Sequence, residues 1–207
     1  MNRGQTVFVV DDDEGIRDGL SMLLATIGQP CRTFGSAAEF LDHYDPDDRG
    51  CLVLDIRMPR VSGLELQAEL NARGSNLPII FITGHGDIPM AVEAMRKGAM
   101  DFIRKPFREQ DLLDRINEAL DVELLRRKRT MEVNELVDRV NSLTAREKEI
   151  FEAVAEGRMN KVIGSDLGIS ERTVEVHRAN VMKKLGVRTL AELIRFKITA
   201  ESANLAE

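Results

Sequence analysis

The sequence predicts a doubly wound α/β unit with a five-stranded parallel sheet, then a long linker helix, then an all-α unit of four helices. Three observations predict it. The first 120 residues alternate short apolar runs with helical periodicity, residues 109–142 contain neither Gly nor Pro, and residues 143–199 read as helix, tight turn, helix. A chain of 207 residues has room for two small domains.

The strands are the apolar runs Thr6–Val10, Cys31–Phe34, Cys51–Leu54, Ile79–Ile82 and Phe102–Ile103. Runs apolar on both sides suit a parallel sheet covered by helices on both faces. Between them, Ile16, Leu20, Leu23, Leu24 and Ile27 follow the three-and-four spacing of a buried helix face, and Leu64–Leu70 and Ala91–Met95 do so less cleanly. Ser36 with Glu39, and Ser62 with Glu65, read as capping boxes at two helix starts. Asp87 is expected to cap the next helix, with Pro89 tolerated in its first turn. Ala91, Met95 and Ala99 are then its buried stripe, with Val92 and Arg96 on the flank.

Leu113, Ile116, Leu120 and Leu124 continue one apolar stripe until Arg126-Arg127-Lys128-Arg129 interrupts it, so the fifth helix is expected to run out into the linker; a disordered tether is the alternative. Thr144 with Glu147 is a further capping box, opening a helix with Ile150, Phe151 and Val154 on its apolar side. A short helix is expected over Asn160–Leu167, then the turn Gly168-Ile169-Ser170, a helix capped by Ser170 that runs to Leu185, and a last helix over Leu190–Ile198. The domain boundaries are 1–121, 122–142 and 143–207.

Composition narrows the function classes. The chain is 43% hydrophobic and 31% charged, a globular balance. Apolar runs such as Val7–Val10 are far short of the about 20 residues that span a membrane. Residues 1–5 are polar and lead straight into a strand, so no signal peptide is expected, and the reading is a soluble, cytoplasmic protein without a membrane partner. Cys31 and Cys51 are too few for a disulfide scaffold, and Cys51 reads as a buried free thiol. Charge is uneven: residues 1–121 carry 21 Asp and Glu against 13 Lys and Arg, whereas residues 158–197 carry 4 against 9. An acidic half joined to a locally basic one points to two jobs, the second being nucleic-acid binding.

In an open parallel sheet, ligands bind beyond the carboxyl ends of the strands. Here those ends carry Asp11, Asp12 and Asp13, then Asp55, Thr83 and Lys105. Crowded carboxylates repel one another unless a cation offsets them, and oxygen-only ligands favour Mg²⁺. A lysine and a threonine on the same rim suit the oxygens of a phosphoryl group, so the chemistry implied is phosphoryl transfer onto a carboxylate. Lys105–Pro106 is expected to be a cis peptide, turning the chain sharply at the rim.

Four motifs in order, Val-Val-Asp11-Asp12-Asp13, Leu54-Asp55-Ile56-Arg57-Met58-Pro59 with Gly63, Ile82-Thr83-Gly84, and Lys105-Pro106-Phe107, resemble the receiver domain of two-component response regulators over residues 5–121. The resemblance implies that Asp55 is the phosphoacceptor and that Asp11, Asp12, Asp55 and the Arg57 backbone carbonyl bind Mg²⁺. It also implies that Thr83 and Lys105 contact the phosphoryl group. Asp13 matches no required ligand. Thr83 and Phe102 are the switch positions; where receivers often carry a tyrosine this chain has Phe102, so coupling must use ring burial. Asp11-Asp12-Asp13 also fits the Asp-x-Asp of haloacid-dehalogenase-like phosphatases. Position 15, however, is Gly where that resemblance requires Thr or Val, and no paired acidic motif follows Lys105.

Residues 143–199 resemble the LuxR-type helix-turn-helix of FixJ-like regulators: Leu143-Thr144-Ala145-Arg146-Glu147, Asn160-Lys161-Val162-Ile163, then Ser170 to Leu185. Gly164 stands where that family usually has Ala, which slightly weakens the scaffold helix. On the helix Glu171–Leu185, Val174, Val181 and Leu185 share an inward side, and Val176 and Ala179 fall elsewhere. Val176 could meet a thymine methyl, or be ordinary exposed scatter. Arg172, Thr173, His177, Arg178, Lys183 and Lys184 ring that face and suit phosphates, with Lys161 reaching from the preceding helix. Glu175 could accept from a cytosine amine or pair with Arg172 or Arg178. His43 and His85 read as surface and loop residues.

The combined reading is a response regulator and not an enzyme: a sensor histidine kinase phosphorylates Asp55, and the chain then binds double-stranded promoter DNA as a homodimer, acting on RNA polymerase. Val92 and Arg96 are the expected dimer contacts. The alternative is a constitutive DNA-binding protein with an inactive receiver, against which Asp11, Asp12, Asp55, Thr83 and Lys105 all stand.

Overall fold

The computed structural model describes residues 4–84 and 88–204. The chain divides into two compact units, Met1–Arg127 and Lys128–Glu207.

In the first unit the strands are β1 (Thr6–Val10), β2 (Cys31–Phe34), β3 (Gly50–Asp55), β4 (Ile79–Thr83) and β5 (Asp101–Arg104). The helices are α1 (Glu14–Thr26), α2 (Ala37–His43), α3 (Gly63–Ala72), α4 (Ile88–Arg96) and α5 (Glu109–Asn141), the last passing from the first unit into the second. All pairings are parallel, in the order β2-β1-β3-β4-β5. The order reverses at β1 and β3, so the loops after Val10 and Asp55 meet at the switch point, where this architecture leaves a crevice.

Alternation along the strands supplies two cores. Val7, Val9, Cys51, Val53, Ile80 and Ile82 face α1 and α5 through Leu20, Leu24, Leu112 and Ile116. Phe8, Val10, Leu52, Leu54 and Phe81 face α2, α3 and α4 through Phe40, Leu66, Leu70, Ala91 and Ala94. Both faces are covered, which is why these strands read as continuous apolar runs. Cys31 and Cys51 are free, each paired with Val7 from opposite sides. Two strand spacings put their backbones about 9.5 Å apart, beyond disulfide reach.

Several local expectations change: Ile27 caps the end of α1 and is exposed, and Leu124 is exposed on α5. Met95 is 39% exposed, and Ala94 takes its place in the buried stripe with Ala91 of α4 and Ala99 just past its end. The small methyl lets the helix sit close to α3, where the Gln67 amide donates to the Ala94 carbonyl at 3.0 Å. Ser36 accepts from the Glu39 amide, but the Glu39 carboxylate takes the Gly35 amide instead of closing a capping box. Ser62 and Thr144 each form the full reciprocal box. The expected cap Asp87 lies outside the described residues, as does His85. His43 ends α2, its ring nitrogen on the Glu39 carbonyl.

In the second unit, α6 (Ala145–Ala155), α7 (Asn160–Leu167), α8 (Glu171–Leu185) and α9 (Leu190–Asn204) enclose Ile150, Phe151, Val154, Ile163, Val174, Val181, Leu185, Leu193 and Phe196. Leu136 and Val140, from the end of α5, pack on this core. Gly168 closes α7 in the left-handed conformation at φ 66°, and Ser170 caps α8. The last helix runs six residues past the expected end at Ile198, to Asn204. Among the described residues no helix is long and apolar enough to cross a membrane.

Candidate functional site

Asp55 closes β3 and Thr83 closes β4, both buried, while Lys105 follows β5. The Lys105 ammonium sits between two carboxylates, 2.7 Å from Asp11 Oδ2 and 2.8 Å from Asp55 Oδ1. The other Asp55 oxygen accepts the Arg57 amide at 2.8 Å, so both of its oxygens are held. The Lys105 amide donates to the Thr83 carbonyl at 2.7 Å, tying β4 to the turn, and Lys105–Pro106 is cis, as expected.

Electrostatics follows from this packing. Burial raises the Asp55 pKa above its ordinary value; the Lys105 hydrogen bond and charge and the Arg57 amide offset only part of that, and the like charge of Asp11 adds to it. For Lys105 burial acts downward, but the hydrogen bonds and charges of Asp11 and Asp55 outweigh it and the pKa is raised. The lysine is therefore held cationic and the two acids are held together.

Asp12 is exposed at the rim beside buried Asp11. Among the described residues no three Asp, Glu, His or Cys side chains gather tightly enough to hold a metal ion by themselves. The room between Asp11 and Asp55 is taken by the lysine. Asp13 belongs to the helix: its carboxylate caps α1 through the Ile16 amide at 3.3 Å. Phe102 is 42% exposed on β5, and Val92 and Arg96 are exposed on α4.

On α8, Val174, Val181 and Leu185 are buried. Arg172, Glu175, Val176, Ala179 and Lys183 are exposed, with Thr173, His177 and Arg178 half-buried and Lys161 exposed on α7. Among the described residues neither Arg172 nor Arg178 pairs with Glu175; Arg178 instead donates to Asn160 Oδ1 at 3.2 Å. Lys184 also has partners within its own unit. Its ammonium donates to Glu147 at 2.6 Å and to the Ser142 carbonyl at 3.2 Å, so it holds α8 against the start of α6. With Lys184 first and the Thr144 amide second, these donors hold the Glu147 carboxyl down at a pKa of about 2.

Reading by sequence pattern missed Arg17, Asn160 and Glu147 as partners of site residues. Arg17, on α1, donates to the Asp11 carbonyl at 2.8 Å. No periodicity marks such bonds, because they depend on the reach of long side chains between elements.

Residues 7–117 match the family described as response regulator receiver domain, and residues 141–197 match the family described as bacterial regulatory proteins, luxR family. The chain is 45% identical over 200 residues to the transcriptional regulatory protein FixJ of Azorhizobium caulinodans, covering 97% of this chain and 95% of that protein. It is 43% identical over 194 residues to the response regulator protein TodT of Pseudomonas putida, covering 94% and 86%. Among solved structures it resembles the response regulator StyR, at a TM-score of 0.87 with 49% identity over 93% of this chain and 97% of that one. Full-length FixJ from B. japonicum aligns at a TM-score of 0.60 with 39% identity, covering 98% and 99%. The chain belongs to the response regulators that join a receiver domain to a LuxR-type DNA-binding domain.

Proposed function

We propose that this chain is a phosphorylation-controlled transcription factor whose phosphoacceptor is Asp55. The observation that carries the reading is the hold on Asp55. Its carboxylate is buried, kept basic by desolvation and fixed by Lys105 and the Arg57 amide at the switch point of the sheet. An oxygen of Asp55 attacks the phosphorus of a phosphohistidine on a sensor kinase; the new O–P bond forms as the P–N bond breaks, and the imidazole leaves. Lys105 then stands beside the transferred group, and Thr83, one strand over, offers its hydroxyl to the phosphoryl oxygens.

The donor set is all oxygen, which fits Mg²⁺. Asp11, Asp12, Asp55 and the Arg57 carbonyl would hold it, and when bound it neutralises charge on the phosphoryl oxygens. In the second unit, Val176, 55% exposed, and Glu175 face base edges in the major groove. Ala179 lies beside Val176 on that face, and Arg172, Thr173, His177, Arg178, Lys183 and Lys161 contact the backbone. The partners are a histidine kinase, promoter DNA, RNA polymerase and a second copy of the chain, in the cytoplasm.

The test is phosphorylation of the full chain by acetyl phosphate with and without Mg²⁺, read by intact mass. One phosphoryl group is expected, only with Mg²⁺, and Asp55→Asn is expected to abolish it while the circular dichroism spectrum stays unchanged. Uptake at another residue in that variant removes Asp55 from its role.

A further inference from the structure

The hydrogen bonds of residues 11–17 close on themselves. The Asp13 amide donates to Asp11 Oδ1 at 3.0 Å, and the Asp13 carbonyl accepts the Arg17 amide at 3.2 Å. The Arg17 guanidinium returns to the Asp11 carbonyl at 2.8 Å. That carbonyl lies beyond the last β1–β2 pair, Val10 with Phe34, because the chain leaves β2 through Gly35 into the Ser36 cap. Arg17 therefore supplies a donor where the sheet has ended, and a carbonyl at so buried a residue needs one. Gly35 lies alongside the guanidinium, where a Cβ would make ordinary contact at 3.6 Å, and its amide binds Glu39.

We propose that Arg17 is a positioning residue for the cation site, an inference that rests on the Mg²⁺ reading above. By tying the Asp11 carbonyl to α1, it fixes the backbone that presents Asp11 and Asp12 at the rim. Two effects of opposite sign compete. The guanidinium charge opposes a cation nearby, whereas its hydrogen bond holds the cation's ligands in place. The charge sits on a half-buried side chain and is screened by solvent. Groups that orient metal ligands, by contrast, are commonly worth about 10- to 100-fold in metal affinity. Positioning wins, and this sets the sign: a side chain with neither charge nor donor weakens Mg²⁺ binding.

The test is a MgCl₂ titration of the full ¹⁵N-labelled chain, read from the amide resonances of Asp12, Asp13 and Arg57. Arg17→Met is expected to raise half-saturating Mg²⁺ about tenfold, and Arg17→Lys, which keeps one donor, by no more than about threefold. At saturating Mg²⁺ the phosphorylation rate of Arg17→Met should return to that of the parent chain, since the reacting groups are intact. Equal or tighter Mg²⁺ binding by Arg17→Met overturns the proposal. A parent chain that binds no Mg²⁺ overturns the underlying reading instead. If the methionine variant loses its folded spectrum, Arg17→Leu, which likewise has neither charge nor donor, carries the same comparison: weaker binding than the parent supports positioning, and equal or tighter binding overturns it.

Discussion

A methyl group added at Gly63 would stand 2.2 Å from the Asp55 carbonyl oxygen and 3.0 Å from the Phe81 ring. Neither neighbour can yield cheaply, since one is the backbone of Asp55 and the other a buried ring on β4. The Gly63 amide also donates to the Ile56 carbonyl at 2.9 Å, which clamps the start of α3 to the end of β3. Gly63→Ala is therefore expected to lose about 1–3 kcal/mol of stability, the usual cost of overpacking, and urea unfolding of the full chain measures it. Gly164 offers a contrast. A Cβ there would meet the Ile169 carbonyl at 2.8 Å, so the glycine that reads as a weak point of α7 is also a close approach to the following turn. Alanine's helical gain of about 1 kcal/mol works against that squeeze. Gly164→Ala should thus fall within about 1 kcal/mol of the parent, well short of the loss at Gly63.

The first turn of α6 and the last turn of α8 are joined by one ion pair, Glu147 with Lys184, built on the Thr144 capping box. The folded carboxyl titrates near 2, below its ordinary 4.5. In the window between those values the unfolded chain binds more protons than the folded one, so this pair's contribution is complete above about pH 5 and fades as pH falls toward 2. Glu147→Gln should unfold the second unit earlier than the parent at pH 7, and the gap in Tm should narrow on acidification to pH 2.5. A gap that stays constant with pH would mean the carboxylate charge contributes nothing there. At this scale the sequence was legible where burial is one-sided or complete: β1, β3, β4 and the seam of α8 all announce themselves by apolar spacing. It was less legible at β5, an edge strand on which Phe102 and Arg104 are exposed and Asp101 and Ile103 only half-buried, so that only Phe102–Ile103 stood out. On α4, Met95 looked like core because size suggests burial, yet close packing against α3 selects Ala94. The rim acids were readable because every one follows an apolar run. The ion pair of Lys184 was not legible, because a lysine on a basic helix looks the same whether it meets a phosphate or a carboxylate from 37 residues away.

At the scale of the whole molecule, the two units must be coupled if phosphorylation is to control DNA binding, and the receiver surface offers a means. Val92, Met95 and Phe102 are 45%, 39% and 42% exposed on α4 and β5, an apolar group with Arg96 at its edge. On the proposed reading, drawing Thr83 toward a phosphoryl group would free space for the Phe102 ring to turn inward, which would reshape this surface and favour a second copy of the chain. A pair of chains carries two helix-turn-helix units to one stretch of DNA, and the second binds at an effective concentration that can reach millimolar without any new contact. The shift is bounded by the difference in affinity between the two receiver states, so a modest surface gives a dimer that depends on protein concentration. Sedimentation of the phosphorylated chain should show a monomer–dimer equilibrium, and Val92→Asp, which buries a charge in the contact, should weaken it at least about tenfold, equivalent to 1.4 kcal/mol. The same variant should bind a single half-site as the parent does but lose its advantage on a two-half-site duplex. If phosphorylation leaves the mass unchanged, or Val92→Asp dimerises as well as the parent, phosphorylation must act by releasing an inhibited state instead of by pairing chains.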